Sequence, residues 1–448
     1  MVFILYNEKV IKQKIWRLIY IAKSIYQSYF PTKKQIFFQS NQINSKKTKK
    51  RILIIVHENF LTNKGGVESY VLNLYEEFRK KDNFDFFYLC RVNIKDKGVG
   101  EIWQDNSKKN IYYINLRDGN VYSLVDFRFD KSFENFLFSL TPDIVHFQHY
   151  LHFSLSWFSV IKKSLPKTKI ILTIHEFLAI CPNSGQMIKT KWQRNKLCYR
   201  SSISDCNKCF PYIPKKVLEK RKKYVDEYFD SVDLFISPSK FVFKRHVDYG
   251  IDKNKIIYSE NGQNVFEAKN KTSTSKLKLL YVGQINEFKG LHLLLDSMKK
   301  LEDKDIVLSI YGKFQDSDYK KKIEKMISSL SNVKYYGPYQ RNELGDIFAL
   351  NDLLIVPSVW WENSPLVIQE SFIAKTPVLC SNIGGMREKV TNGFNGIHFK
   401  TGDTEDLTKK IMSVYLNRDI LKKLTKNIKP VKSIESNCDE LISIYKTI

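Results

Sequence analysis

"LKLLYVGQINEFKG", residues 277–290, reads as a strand, a turn and the start of a helix. Leu277, Leu279, Leu280, Tyr281 and Val282 form a short apolar run that stops at Gly283. Lys289 then stands beside Gly290, where the next helical stretch begins. The same design repeats downstream in "IVLSIYG", "NVKYYG", "DLLIVPS" and "PVLCSN", each run separated from the next by a helical pattern. It also precedes it, in "RILIIVHE", "DIVHFQH", "KIILTIHE" and "DLFISPS". Strand alternating with helix predicts an α/β fold with parallel sheets.

The repetition stalls once, at the polar stretch "FEAKNKTSTSK", residues 266–276, which reads as a linker. The expected organisation is therefore a basic extension over 1–50, a first Rossmann-like domain over 51–265 and the linker 266–276. A second Rossmann-like domain follows over 277–425, then a helical segment over 426–448. Two such units leave a cleft between them. Ligands of open α/β sheets bind beyond the carboxyl ends of the strands.

The chain has 448 residues and a formal net charge of +26, with Lys and Arg spread along its whole length. General composition accounts for most of that charge, and no zinc-finger spacing or RNA-binding signature points to a specific nucleic acid. Residues 1–50 are more concentrated: eleven Lys or Arg against Glu8 alone, with Ile11, Ile15, Leu18, Ile19 and Ala22 at helical spacing. Two readings stand for them, a basic amphipathic helix on an anionic membrane surface and a helix packed on the body of the protein. No segment is apolar enough to span a bilayer, and no cleavable signal pattern is present. Seven cysteines in no even framework point to a reducing compartment, and so to the cytoplasm.

Several motifs fall at strand ends. Gly65 and Gly66 open a helix whose N-terminal amides suit an anion, or make a plain tight turn. Lys289 suits a diphosphate as a point charge, or is one solvated lysine among many. His175 ends "KIILTIH" and either meets a substrate or is a satisfied core histidine. Cys181, Cys198, Cys206 and Cys209 lie in one basic, loop-like segment. With a Cys-x-x-Cys pair they could close a tetrahedral zinc site or stay free thiols. In "WWENSPLVIQE", 360–370, Ser364 and Pro365 read as a helix cap and first helical residue, with Glu362 before the helix and Glu370 two turns inside it. Gly384 and Gly385 read as another strand-to-helix turn, with Glu388 favouring the dipole of its own helix.

Taken together, "ENSPLVIQE", the following "GG..E" and the strand-end residues resemble the family 4 glycosyltransferases, from about residue 51 onward. The resemblance implies a GT-B fold, with two Rossmann-like doubly wound parallel-sheet domains facing a central cleft. It also implies a UDP- or GDP-sugar donor, transfer with retention to a glycan or lipid-linked acceptor, and no metal or other cofactor for the chemistry. Residue by residue, it gives Glu362 the hydroxyls of the donor sugar and Glu370 those of the ribose. Asn363, Ser364 and Leu366 would face the sugar or diphosphate through their amides. Lys289 would hold the diphosphate, Gly65 and Gly66 would face the phosphates, and His175 would stand near the reacting face. One position departs: Gln284 stands where many members carry Arg. Arg341 and Arg387 are the candidate substitutes. The cysteine cluster resembles one in a polysaccharide-synthesising subset. Two other readings remain at this point: a GT-B nucleotide-sugar epimerase, and a non-catalytic basic membrane- or nucleic-acid-binding protein on the same scaffold.

Overall fold

The computed structural model describes residues 48–62, 65–118, 124–190, 196–267, 269, 271 and 275–448. The proposed amphipathic helix within 1–50 lies outside these residues, as does part of the polar linker. β1 (Arg51–Val56) is buried along its whole length, which is why "RILIIV" carries no alternation. Around it run β2 (Asp85–Val92), β3 (Ile102–Gln104), β4 (Ile111–Asn115), β5 (Ile144–Phe147), β6 (Lys169–Thr173), β7 (Leu234–Ser237) and β8 (Ile256–Tyr258). They form one eight-stranded sheet in the order β3-β4-β2-β1-β5-β6-β7-β8, parallel except for β3, which runs against β4.

The second sheet holds β9 (Leu277–Val282), β10 (Ile306–Tyr311), β11 (Val333–Gly337), β12 (Leu353–Val356), β13 (Val378–Ser381) and β14 (Gly396–Phe399). Its order is β11-β10-β9-β12-β13-β14, parallel throughout. Among the parallel strands of each sheet the order reverses once, between β1 and β5 in the first and between β9 and β12 in the second. Those two switch points are where the connections diverge to opposite faces and leave room for a ligand. They face each other across the cleft. The expected architecture is thus the observed one.

The helices sit where their apolar faces meet the sheets. The helix Gly66–Phe78 buries Val71, Leu74 and Phe78. In the second domain, the helix Thr404–Leu416 buries Leu407, Ile411 and Val414, and Asp403 caps it by accepting from the amide of Asp406. The last helix, Ile434–Thr447, does not stay with the domain that precedes it. Cys438, Leu441, Ile442 and Tyr445 join the first domain's core beside Phe78, Phe84 and Phe86. The Tyr445 hydroxyl lies 2.7 Å from His146 Nδ1, on β5. The two crossings run side by side: the Gln263 amide donates to Lys432 O at 3.0 Å and the Ile434 amide to Gln263 O at 2.9 Å. A Cβ on Gly262 would stand 2.5 Å from Ser433 O, so the contact requires a glycine there. Among the described residues no helix is long and apolar enough to cross a membrane.

Candidate active site

On the second-domain wall, β9 and β12 deliver two short loops to the same place. After β9 the chain turns at Gly283, and Asn286 caps a single turn by accepting from the amide of Lys289. Gly290 follows with φ of 72°, and a Cβ on it would lie 2.0 Å from Pro357 O. Only glycine brings these two loops so close. The result is an ion pair, Lys289 Nζ to Glu362 Oε1 at 2.7 Å. The same oxygen accepts from Ser358 Oγ at 2.7 Å and from the Trp360 indole at 2.8 Å. Burial alone would raise the Glu362 pKa. The charge of Lys289 and the three hydrogen bonds outweigh it, and the carboxyl is held below its ordinary value.

Gly384 and Gly385 support this loop from behind. The Gly385 amide donates to Glu362 O at 2.7 Å, and a Cβ there would fall 2.1 Å from Asn363 O. The helix that follows the loop runs Leu366–Ile373, with Pro365 as its N-cap residue and no side-chain cap. This corrects the sequence reading by one position. Pro365 is extended, with ψ of 113°, so Ser364 stands outside the helix and does not cap it. Glu370 accordingly sits just over one turn inside, not two. Ser364 Oγ and Asn363 Oδ1 are buried and lack a hydrogen-bond partner among the described residues. Such atoms cost free energy unless something fills the site. Glu370 is half-buried farther along. Burial raises its pKa, against the charge of Arg341, which lowers it. Arg341 itself donates to Asn73 Oδ1 and Gln263 Oε1, each at 3.1 Å. Arg341 is therefore committed near Glu370. Gln284 is exposed on the turn after β9.

The first-domain wall is built at the ends of β1, β5 and β6. Gly65 caps the helix Gly66–Phe78, and a Cβ on it would meet Glu68 Oε2 at 2.0 Å. Gly66 faces open space. Glu68, buried in the first turn, lies 3.2 Å from His57 Nε2. The His57 and His149 rings lie tilted against each other with centroids 4.3 Å apart. His175 Nε2 donates to Gln148 Oε1 at 3.0 Å, since an amide oxygen only accepts. That leaves Nδ1 of a neutral His175 as an acceptor. Burial lowers the pKa of His57, His146 and His175 to about 3 each. Burial pushes Glu176 up to about 8.

The two walls touch. Asn363 Nδ2 donates to His175 O, which places the donor-side loop against the histidine. Trp361 stacks on Phe241 and donates to Cys198 O at 3.2 Å. Glu388 does not serve its own helix. Its carboxylate accepts from the amides of Lys240 and Phe241, each at 2.8 Å, and so caps the first-domain helix Lys240–Tyr249.

The structure thus brings together Lys289, Glu362, Asn363, Ser364 and His175, with Gly65, Leu366 and Glu370 on the same cleft. Cys181, Cys198, Cys206 and Cys209 share a neighbourhood as free thiols, but among the described residues no three His, Cys, Asp or Glu are grouped to hold an ion. Cys198 Sγ is directed to Arg200 O, and Cys206 Sγ lies 3.5 Å from Ser201 Oγ. Burial raises Cys181 to about 12 and also raises Cys198 and Cys206, so as placed these thiols hold their protons. Sequence reasoning missed His57, Glu68, Gln148 and His149. The signal was present: "VHE", "FQHYLH" and "TIHE" each follow a strand that ends at the cleft.

Residues 64–265 match the family model described as Glycosyltransferase Family 4, and residues 263–431 match that described as Glycosyl transferases group 1. An uncharacterized 41.2 kDa protein in the cps region of Klebsiella pneumoniae is 32% identical over 206 residues, 42% of this chain and 54% of that protein. The chain spans about half the length of the first curated relatives it matches. Sucrose-phosphate synthase from Thermosynechococcus elongatus superposes with a TM-score of 0.67 at 16% identity, over 89% of this chain and 98% of that one. Anabaena HepE in complex with UDP-glucose superposes with a TM-score of 0.60 at 14% identity, over 89% of this chain and 100% of that one. At these identities the likeness is one of fold.

Proposed function

We propose that this chain is a GT-B glycosyltransferase of the family 4 type and that it moves a sugar from a nucleotide-sugar donor to a glycan or lipid-linked acceptor, with retention at the anomeric carbon. The observation that carries the reading is the Lys289–Glu362 pair beside the orphaned Asn363 Oδ1 and Ser364 Oγ, at a switch point facing His175. In this reading Glu362 accepts from hydroxyls of the donor sugar, and Glu370 from those of the ribose. Lys289 carries three N–H donors, so it can keep Glu362 and still reach a diphosphate oxygen.

The bond that breaks joins the anomeric carbon to the diphosphate oxygen, and its electron pair leaves with the nucleoside diphosphate. The new bond joins the same carbon to the acceptor oxygen on the same face, and the acceptor proton passes to the departing diphosphate. Charge grows on the leaving group during this step, and Lys289 with the amides at the start of Leu366–Ile373 stabilises it. That supply of positive charge lets the step run without a metal ion in this reading. His175, neutral at physiological pH, accepts from a sugar hydroxyl through Nδ1 and adds no cation to repel the developing oxocarbenium charge.

The relative in a cps region supports a place in surface polysaccharide synthesis. That work belongs to the cytoplasm, with residues 1–50 on the inner face of the membrane. UDP-glucose, bound in the HepE structure, is the first donor to try, and GDP-sugars the second. The test is calorimetric titration of UDP and GDP, followed by release of either from a donor panel with mixed acceptors. Micromolar binding of one nucleotide and acceptor-dependent release support the reading. Absence of binding by both overturns it.

A further inference from the structure

Beside the donor loop lies a cavity of about 540 Å³ in the first domain, lined by none of the donor-side residues named above. It shares a wall with them through Trp361, the residue before Glu362. Tyr199, on the cavity lining, meets the Trp361 ring edge-on at 5.1 Å. Arg245, also on the lining, holds its guanidinium 4.9 Å from the Trp361 ring and 5.3 Å from that of Phe241, and donates to Tyr199 O. A guanidinium held against aromatic rings is pre-organised for a planar or tetrahedral anion.

The charge of the lining is lopsided. Arg200, Arg221, Lys222 and Arg245 line it, against Asp248 as the one acid of the lining; Lys222 also pairs with Asp226, outside the lining, at 2.7 Å. Asp248 stands 3.6 Å from Lys244, outside the lining. In a lysine-rich chain a few surface cations mean little. Here three of the four are arginines. One of those, Arg221, is buried and held in place by the carbonyls of Leu178 and Ala179. The Ser201 and Ser202 side chains and the Tyr249 ring complete a lining suited to a sugar with a charged group.

We propose that this cavity is an acceptor subsite for an anionic sugar, holding a uronic-acid carboxylate or a sugar-borne phosphate between Arg245, Arg221, Arg200 and Lys222. The inference rests on the glycosyl-transfer reading for the word acceptor, and on the cavity alone for the anion. An acceptor anchored there lies against Trp361, next to the loop assigned to the donor sugar. Charge-assisted contacts of this kind discriminate a charged sugar from its neutral counterpart.

The full chain, saturated with UDP, is titrated with methyl α-glucuronide, glucose 1-phosphate and methyl α-glucoside. One or both anionic probes should bind at least about tenfold more tightly than the glucoside, and high salt should erode that preference. The double variant Arg200→Gln, Lys222→Gln should lose most of the preference while keeping wild-type UDP affinity, which also reports on folding. Both positions are exposed. A preference for glucuronide alone assigns the carboxylate, and one for the phosphate alone assigns the phosphate. Equal binding of all three probes overturns the proposal, as does a salt-independent preference or one that survives in the folded double variant. A chain that fails to bind UDP or GDP but keeps the anionic preference overturns the transfer reading and leaves the cavity assignment standing.

Discussion

On the first-domain wall of the cleft, His57, His149 and His175 lie close together without charge, because burial lowers their pKa values. On the facing wall, Glu362 is equally withdrawn from water yet keeps its charge, because Lys289 pairs with it at 2.7 Å and two further donors share its oxygen. Burial pushes both sets toward neutrality; only a partner decides whether charge survives. The contrast matches the division of labour proposed above. Charge is kept where a diphosphate departs, and kept away where an oxocarbenium-like sugar meets an acceptor.

The sharpest way to break the contrast is Lys289→Ala. It removes the cation from the leaving group and strands Glu362 as a buried, unpaired acid. Losing one preorganised donor of this kind costs roughly 10²- to 10³-fold in turnover. Steady-state kinetics with the preferred donor checks it. A drop below about fivefold would mean that Lys289 only braces Glu362, since one donor to a developing charge is worth more than that.

The two glutamates separate the functions of one wall. Glu362→Gln should depress kcat while barely changing the dissociation constant for the nucleoside diphosphate. Glu370→Gln should weaken nucleotide binding, product included, with less effect on kcat. Each loss is on the order of 10- to 100-fold, the size of one charge-assisted hydrogen bond. Calorimetry of the diphosphate with kinetics on both variants decides. The reversed pattern swaps the assignments, and slight effects from both remove the sugar-nucleotide reading of the loop.

Much of this was legible beforehand, and the failures are instructive. Runs such as "RILIIV" and "LKLLYV" announce strands buried on both faces, so the two sheets and the cleft followed from hydrophobic pattern alone. Lys289 and Glu362 were legible through a family motif. Nothing local, however, says which domain an amphipathic helix will join. Ile434–Thr447 crosses back because Tyr445 reaches His146 far away in sequence. Glu388 was misread for a similar reason. A carboxylate near a helix start looks local, yet its partners lie in the other domain. Ser364 looked like a cap because Ser-Pro favours one. The structure leaves its hydroxyl unspent.

The histidine wall predicts a pH dependence with a definite sign. His175 sits at about 3 when folded against 6.5 unfolded, so between those values the unfolded chain binds more protons. The histidine contribution is full above pH 6.5 and is lost as pH falls through the window toward 3. His57 and His146 act in the same direction. Glu176 opposes them. Raised to about 8, it contributes fully below 4.5 and loses that contribution as pH rises through 8. His149, His152 and His246 are lowered by burial in the same way, and Asp130, raised to about 7, sides with Glu176. The histidines outnumber these acids, which predicts a lower Tm at pH 5 than at pH 7, and a shallower fall in His175→Gln. A Tm that is flat or rises toward pH 5 would show that the wall takes up protons without unfolding.

The smallest effect is expected at Glu388, which belongs to neither wall and joins both. Its carboxylate adds a cap from the other domain to the helix Lys240–Tyr249, which Ser239 also caps through the amide of Val242. With one cap left, Glu388→Gln should cost only about 0.5–2 kcal/mol of stability, the range for a single helix cap. The other end of that short helix carries His246 and Tyr249, and its first turn carries Phe241 against Trp361. Loosening the cap therefore loosens the stacked wall behind Glu362 rather than the charges themselves. The expected kinetic signature is a raised KM for donor with kcat nearly unchanged, because closure is weakened and the assembled site is not altered. Denaturant unfolding and donor kinetics on the same preparation measure both. If kcat falls as far as in Glu362→Gln, Glu388 acts on the reacting groups and not through the contact between domains. If neither stability nor KM moves, the two walls are held together by the Asn363–His175 and Trp361–Phe241 contacts without it.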